Sequence, residues 1–117
     1  MIQVTVKRDR HHELLAVSVE GHADSGPHGY DLICAGVSAV TFGAVNAVEE
    51  LCGVELEIQQ SNDGGYLSCS VPNSIEGMSR EQTLLLLEGM VSSLKTIEDS
   101  YSEHIKVNDP RGGGTHA

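Results

Sequence analysis

The sequence predicts an α+β domain in which two long helices pack on a mostly antiparallel or mixed sheet. Two observations lead to this prediction. Segments with alternating apolar and polar residues occur in adjacent pairs, and each pair is followed by a long apolar stretch with helical spacing. The resulting order is ββαββα with a possible short final strand, which is typical of helices packed on one sheet. At 117 residues, the chain is long enough for one hydrophobic core and too short for two domains.

Two hairpins are predicted from the alternation of apolar residues. The first joins residues 2–6 to residues 15–19 through the polar turn at residues 8–12. The second joins residues 54–58 to residues 66–71 through the turn sequence Asn-Asp-Gly-Gly. Each hairpin therefore contributes two antiparallel strands to the sheet.

A loop and a long helix are predicted between the hairpins. Glycine and proline interrupt the segment before the helix and predict irregular structure there. This predicted mobile loop consists of Ala23, Asp24, Ser25, Gly26, Pro27, His28, Gly29 and Tyr30. Asp31 is the expected N-cap of the helix, which is predicted to run to about Cys52 and to end at Gly53.

The second helix and the C-terminus complete the predicted domain, which covers residues 1–108. Ser79 and Gln82 have the spacing of a capping box, and apolar residues follow at helical intervals. The apolar stripe consists of Leu84, Leu87, Val91, Leu94 and Ile97. Residues 105–107 are the possible final strand, and residues 109–117 have the composition of a flexible Gly-rich tail.

Composition narrows the classes of function. The formal net charge is −10 and only 7 residues are Lys or Arg, so direct nucleic-acid binding is not expected and a basic partner fits better. No secretory signal is recognisable at the N-terminus. The most apolar window, Leu32 to Val48, is interrupted by polar residues, so no membrane span is expected and a cytoplasmic location is predicted. Three cysteines without a CxxC pair fit neither a disulfide framework nor a structural zinc site.

Cys34 and His22 are the candidate catalytic pair. With a helix starting at its predicted N-cap, Cys34 would be the third helical residue, close to unpaired N–H groups that stabilise a thiolate. His22 follows Gly21 at the end of the second strand and can reach the helix start across a short loop. The alternatives are a buried structural cysteine and a loop histidine that is hydrogen-bonded to backbone. His28, in the mobile part of the loop, competes with His22 as the partner of the cysteine. Cys52 and Cys69 fall in settings that disfavour a thiolate.

Four further residues, Asp31, Ser38, Ala35 and Gly21, are candidates for supporting or substrate-binding roles. Ser38 lies one turn after the candidate cysteine and either contacts it or the substrate, or bonds back to the helix backbone. Backbone N–H groups near Ala35 are expected to form an oxyanion hole. Asp31 either caps the helix or orients the histidine, and Asp24 either stabilises the loop or orients the histidine. A metal site of His22, His28 and Cys34 has suitable ligand types but no recognised spacing, so no metal and no cofactor are predicted.

The sequence resembles the Prp family of ribosomal-processing cysteine proteases. The resemblance is carried by Gly21-His22-Ala23 and by Asp31-Leu32-Ile33-Cys34-Ala35-Gly36-Val37-Ser38, and it extends over nearly the whole chain apart from the tail. It implies a cysteine endopeptidase that removes a short N-terminal extension from the twenty-seventh protein of the large ribosomal subunit. It further implies that His22 is the base and Cys34 the nucleophile, that the intervening loop is mobile until substrate binds, and that the protein is a homodimer.

Other functions are compatible with the residues themselves. The chain fits a non-catalytic ribosome-associated module that binds a basic peptide tail, with Cys34 merely packed. It also fits a thiol hydrolase of another acyl substrate. The first helix is apolar nearly all round, and a small two-layer domain covers only part of such a helix, so a neighbouring subunit or the second helix is expected to supply the remaining cover. Gly36 stands where the family often has Ala, a change that weakens the helix by up to about 1 kcal/mol.

Overall fold

The fold consists of a five-stranded mixed sheet with two helices packed on one of its faces. The computed structural model describes residues 1–21, 26–62 and 65–111, and for residues 26–31 it describes the backbone alone. The elements, in chain order, are β1 (Ile2–Arg8), β2 (Leu14–Glu20), α1 (Gly26–Cys52), β3 (Glu57–Gln60), β4 (Tyr66–Ser70), α2 (Gly77–Ser100) and β5 (Ile105–Asn108).

The strands lie in the order β3-β4-β2-β1-β5. All neighbours are antiparallel except β5, which runs parallel to β1 and pairs Ile105 with Ile2. Val4 and Val6 are buried against the helices, whereas Thr5 and Lys7 face away from them. The prediction of an α+β domain, including the short final strand, is confirmed.

One detail of the first hairpin differs from the prediction. Leu15 was expected on the buried face of its strand, but its exposed fraction is 44%, while that of Leu14 is 1%. The pairing explains the change: Lys7 lies opposite Ala16 and Arg8 opposite Leu14, so Leu15 is the extra residue of a β-bulge. A bulge shifts the alternation by one residue and reverses which side chain faces the core.

The start of α1 also corrects the sequence prediction. Asp31 was expected to be the N-cap, but the helix begins at Gly26, so Asp31 lies inside it. The predicted loop was therefore too long, since residues 26–30 have helical backbone, whereas residues 23–25 lie outside the described residues. Pro27 is compatible with this start because the N–H groups of a first helical turn have no intrahelical partner.

The predicted boundaries of β3 and α2 need smaller corrections. Strand β3 begins at Glu57, although Val54 and Leu56 before it are buried as expected. Helix α2 begins at Gly77 and has no side-chain cap, so Ser79 is not an N-cap. Ser79 and Gln82 have the spacing of a capping box only because they are exposed residues three positions apart inside the same helix.

Helix α1 buries one face and leaves the other exposed. Ile33, Val37 and Val48 belong to the hydrophobic core together with buried residues of α2 and the sheet. Leu32–Cys52 is long and apolar enough to cross a membrane by length and composition only. A helix that contributes to the core of a folded domain passes the same test, and α1 contributes to the core of this one.

Candidate active site

Cys34 lies on the flank of α1, between the buried face and the exposed face. Its neighbours Ile33 and Val37 are only 4% exposed, which fixes the rotation of the helix on the sheet. Cys34 itself is half-buried and packs against the edge of the core. Ala35 and Ser38 are exposed beside it. The thiol is therefore held by a rigid element and borders a surface that a substrate can reach.

The early start of α1 overturns one argument made from the sequence. Cys34 is the ninth residue of the helix rather than the third. The dipole effect falls off within the first turn, so the helix start does not account for a thiolate at Cys34. The N–H groups of Cys34 and Ala35 lie inside the helix, where such groups bond carbonyls four residues earlier. The oxyanion hole expected from these N–H groups is therefore not available in this conformation.

Gly21 directly follows β2 and precedes the predicted histidine in sequence. Its N–H donates to the carbonyl oxygen of Gly65 at 2.9 Å, which ties the end of β2 to the start of β4. Its φ is +94°, and a Cβ at this position would lie 2.5 Å from the carbonyl oxygen of Met1. Only glycine fits there without strain. His22 follows immediately but lies outside the described residues, as do the side chains of His28 and Asp31.

The other two cysteines occupy structural positions. Cys69 lies in β4 with an exposed fraction of 2%, and burial raises the pKa of its thiol. Cys52 is the last residue of α1 and is half-buried against the core. All three cysteines are free thiols. Among the side chains that the structure describes, no three His, Cys, Asp or Glu residues are grouped closely enough to hold a metal ion.

Sequence reasoning missed a groove between α1 and β3. It has a volume of about 320 Å³ and is lined by Val45, Asn46, Glu49, Glu55, Leu56 and Ile58. The sequence carried a weak signal of it, because acidic residues follow the apolar stretch of α1 and recur before β3. These residues come together only because α1 lies beside the edge strand β3, and the pattern of residues within one segment does not show how two segments pack.

Comparison with known proteins identifies the family. The sequence model of the family described as Cysteine protease Prp matches residues 1–106, which is nearly the entire domain. The chain belongs to this family. It is therefore a cysteine protease of the Prp family, as the resemblance in the sequence predicted.

Individual Prp proteins agree with this assignment over almost their whole length. The ribosomal processing cysteine protease Prp of Bacillus subtilis is 45% identical over 107 residues, covering 92% of this chain and 96% of that protein. The protein of the same name from Staphylococcus aureus is 35% identical, covering 92% of this chain and 98% of its own.

Solved structures of Prp have the same fold. A crystal structure of the ribosomal processing protease Prp from S. aureus, in complex with a covalently linked product peptide, superposes with a TM-score of 0.82. It is 35% identical and covers 92% of this chain and 98% of that chain. A second, in complex with a substrate peptide, has a TM-score of 0.79 at 34% identity, with coverage of 92% and 98%.

Proposed function

We propose that this Prp-family protease removes the N-terminal extension of the twenty-seventh protein of the large ribosomal subunit during ribosome assembly. The observation that carries the proposal is Cys34, a half-buried thiol on a helix that borders exposed surface, in a chain whose relatives are named for ribosomal processing. The net charge of −10 supports a substrate from a strongly basic class of protein, because opposite charges speed encounter.

The proposed mechanism is covalent catalysis by Cys34 with His22 as the proton carrier. His22 takes the thiol proton, and the Cys34 sulfur attacks the scissile carbonyl. The tetrahedral intermediate collapses when the C–N bond breaks and His22 passes its proton to the leaving amine. Water then attacks the resulting thioester, which releases the acid and returns the proton to Cys34. A covalently linked product, as named for the S. aureus relative, is a species of the kind that such a mechanism forms.

The residues around Cys34 have proposed supporting roles. Ser38 is exposed one helical turn after Cys34, which supports a proposed contact of its hydroxyl with bound peptide. Ala35 offers a small exposed surface beside the thiol. Gly21, which precedes His22 in sequence, has a backbone conformation that favours glycine. Asp31 is the nearest acidic residue in sequence to Cys34 and a candidate to orient His22.

Cleavage of the ribosomal precursor tests the proposal directly. The precursor is incubated with the wild-type protein, and its N-terminus is read by mass spectrometry. Cys34→Ala is expected to abolish cleavage while circular dichroism and thermal unfolding remain close to those of the wild type. Cys52→Ala is the matched control and is expected to retain cleavage, since Cys52 lies at the far end of α1. Cleavage by the Cys34→Ala protein would overturn the proposed nucleophile.

Thiol labelling separates the protease from a non-catalytic binding module. A short iodoacetamide pulse at mildly acidic pH is expected to label Cys34 well ahead of Cys52 and Cys69. The buried Cys69, whose thiol pKa is raised, serves as the internal reference. His22→Ala is expected to slow labelling of Cys34 alone, because the histidine takes the thiol proton. Equal labelling of all three cysteines would favour the binding module.

A homodimer and a cytoplasmic location complete the proposal. Within the described part of the chain, the outer face of α1 remains uncovered, and its Leu32 and Phe42 are 67% and 43% exposed. Exposed large apolar side chains on a helix face are a feature that protein interfaces use. In the proposed homodimer, a second copy of the chain covers this face of α1 and removes it from solvent. The proposed substrate is a ribosomal protein precursor, so the site of action is the cytoplasm, where ribosomes assemble.

A further inference from the structure

The groove between α1 and β3 has the shape and lining of a site for a long cationic side chain. Its apolar walls come from Val45, Leu56 and Ile58, which suit the methylene stem of Lys or Arg. Its polar groups are the carboxylates of Glu49 and Glu55 and the amide of Asn46, which suit the charged end. Ile58 is 39% exposed, so the groove is open to solvent in this structure.

The groove borders an edge of the sheet that is free to accept another strand. In the antiparallel pairing of β3 with β4, the N–H of Ser61 donates to the carbonyl oxygen of Tyr66. Because every second residue of an antiparallel strand bonds the neighbouring strand, the N–H and C=O groups of Ile58 and Gln60 point away from β4. Within the described residues, no side chain forms a hydrogen bond with these outward-pointing backbone groups. The opposite edge differs, because Glu98 accepts a hydrogen bond from the N–H of Val107 in β5 at 2.8 Å. An extended peptide can therefore pair with β3.

The carboxylates of the groove lack partners within the described part of the chain. Glu49 and Glu55 form neither an ion pair nor a hydrogen bond there, whereas Glu88 and Asp109 are bound by arginine. Glu49 also lies near the negative end of the α1 dipole, where a cation is favoured, and the last turn of α1 has no basic residue. A cation from another molecule would pair with these carboxylates and would also be favoured by the dipole of α1.

The groove lies on the same flank of α1 as the proposed nucleophile. Cys34, Ser38, Val45 and Glu49 are spaced by four, seven and four residues, which places them along one side of a helix. At 1.5 Å per residue, the groove begins roughly 17 Å from Cys34 along the helix and ends roughly 22 Å away. An extended peptide covers this distance in about five to seven residues.

We propose that this groove binds a Lys- or Arg-containing segment of the substrate, about five to seven residues from the scissile bond, as an added strand beside β3. The inference rests on the proposed function, since it takes Cys34 as the position of the scissile bond. The segment pairs its backbone with β3, and its basic side chain enters the groove between Glu49 and Glu55. The groove thus selects basic substrates at a distance from the reacting atoms.

Peptide binding to the Cys34→Ala protein tests the groove without depending on cleavage. Fluorescent peptides contain the cleavage segment, an Ala-Ser spacer and two lysines, and fluorescence anisotropy measures their affinity. Glu49→Gln combined with Glu55→Gln is expected to weaken binding about five- to tenfold at low salt. The matched control combines Glu81→Gln with Glu103→Gln, two exposed acidic residues elsewhere that make the same change in net charge. This control is expected to bind like the parent protein.

The position of the lysines provides the second measurement. Peptides with spacers of two to ten residues on either side of the scissile bond are expected to show an affinity maximum near five to seven on one side. Equal weakening by the groove and control variants, or an affinity independent of spacing, would overturn the proposed groove. A change of oligomeric state in the groove variant would assign the groove to a second copy and also overturn it. Failure of the wild-type protein to cleave the precursor, with these binding results intact, would count against the proposed function alone.

Discussion

Arg8 and Asp109 lie 101 positions apart in the chain and form a doubly hydrogen-bonded ion pair inside the protein. Arg8 Nε donates to Asp109 Oδ1 at 2.7 Å and Nη2 donates to Oδ2 at 3.0 Å. The same guanidinium binds both carboxylate oxygens of Glu88, at 2.6 and 2.9 Å. Lys95 Nζ lies 2.9 Å from Asp109 Oδ2. These contacts tie the end of β1 to α2 and to the segment that follows β5.

Replacing Asp109 by Asn is expected to destabilise the fold by about 3 kcal/mol. The side chains of Arg8 and Asp109 are 2% and 0% exposed, and removing one charge of a buried pair leaves the other uncompensated. Glu88 still binds Arg8, which keeps the loss near the lower end for buried pairs. Urea unfolding measures it. Asp99→Asn, at an exposed position of α2, is the control and should change stability by less than about 0.5 kcal/mol. Equal midpoints for the two variants would contradict a stabilising role.

The same ion pair predicts how stability depends on pH. Burial alone would raise the pKa of Asp109, but hydrogen bonds from Arg8 and Lys95 hold that pKa well below its usual range. A carboxylate whose pKa is lowered by folding contributes stability above its unfolded pKa, about 3.9. That contribution is lost as the pH falls through the folded pKa. The difference between wild type and Asp109→Asn is therefore expected to be constant from pH 7 to pH 5 and to shrink below about pH 4. Urea unfolding at pH 7, 5 and 3 measures this, and a difference that persists undiminished at pH 3 would assign it to another cause.

Local patterns predicted the elements of the fold well because the buried faces of strands and helices repeat over a few residues. These patterns gave wrong positions where a single residue shifts the inward and outward alternation of a strand, or where a helix begins earlier than its apolar stretch. The bulge at Leu15 reversed the inward and outward positions, and the helix start at Gly26 moved Cys34 into the helix interior. The ion pair of Arg8 with Asp109 was not predicted, because composition placed Asp109 in a flexible tail and no local pattern links distant charges.

The candidate catalytic residues were predicted from the sequence, whereas the groove between α1 and β3 was not. The cysteine and histidine came from their residue types and from the family motif, and the family is confirmed over residues 1–106. The physical argument for a reactive thiol depended on a helix boundary, and helix boundaries depend on weak local preferences. The groove beside β3 was missed because it forms only when α1 and the edge strand are brought together.

Gly36→Ala is expected to stabilise the protein by up to about 1 kcal/mol, because alanine is the better helix former. Gly36 lies inside α1, and a Cβ there would have no atom within 4 Å beyond its own helix and chain neighbours. Cleavage of the precursor is expected to be retained, since the added methyl group meets no side chain. Thermal unfolding and the cleavage assay together check both statements.

Gly21→Ala is the matched control with the opposite expectation. Its positive φ is unfavourable for alanine by about 1–2 kcal/mol, and its Cβ would clash with the Met1 carbonyl oxygen. A stability loss for Gly21→Ala together with a gain for Gly36→Ala would support the two backbone conformations. A loss of similar size for both variants would contradict the open environment of Gly36.

Gly43→Glu is expected to convert the proposed homodimer to a monomer without unfolding it. Gly43 follows Phe42 on the exposed side of α1, and a Cβ there would have no atom within 4 Å beyond its chain neighbours and the nearby helix backbone. A buried charge at the centre of an apolar interface has no partner and opposes association. Gly89→Glu on α2 is the matched control, since Gly89 is also exposed and also has space for a Cβ. Sedimentation velocity should give a dimer for the wild type and for Gly89→Glu, and a monomer for Gly43→Glu. A wild-type monomer at all concentrations would show that the exposed face of α1 does not join two copies, whereas a Gly43→Glu dimer would place the interface elsewhere.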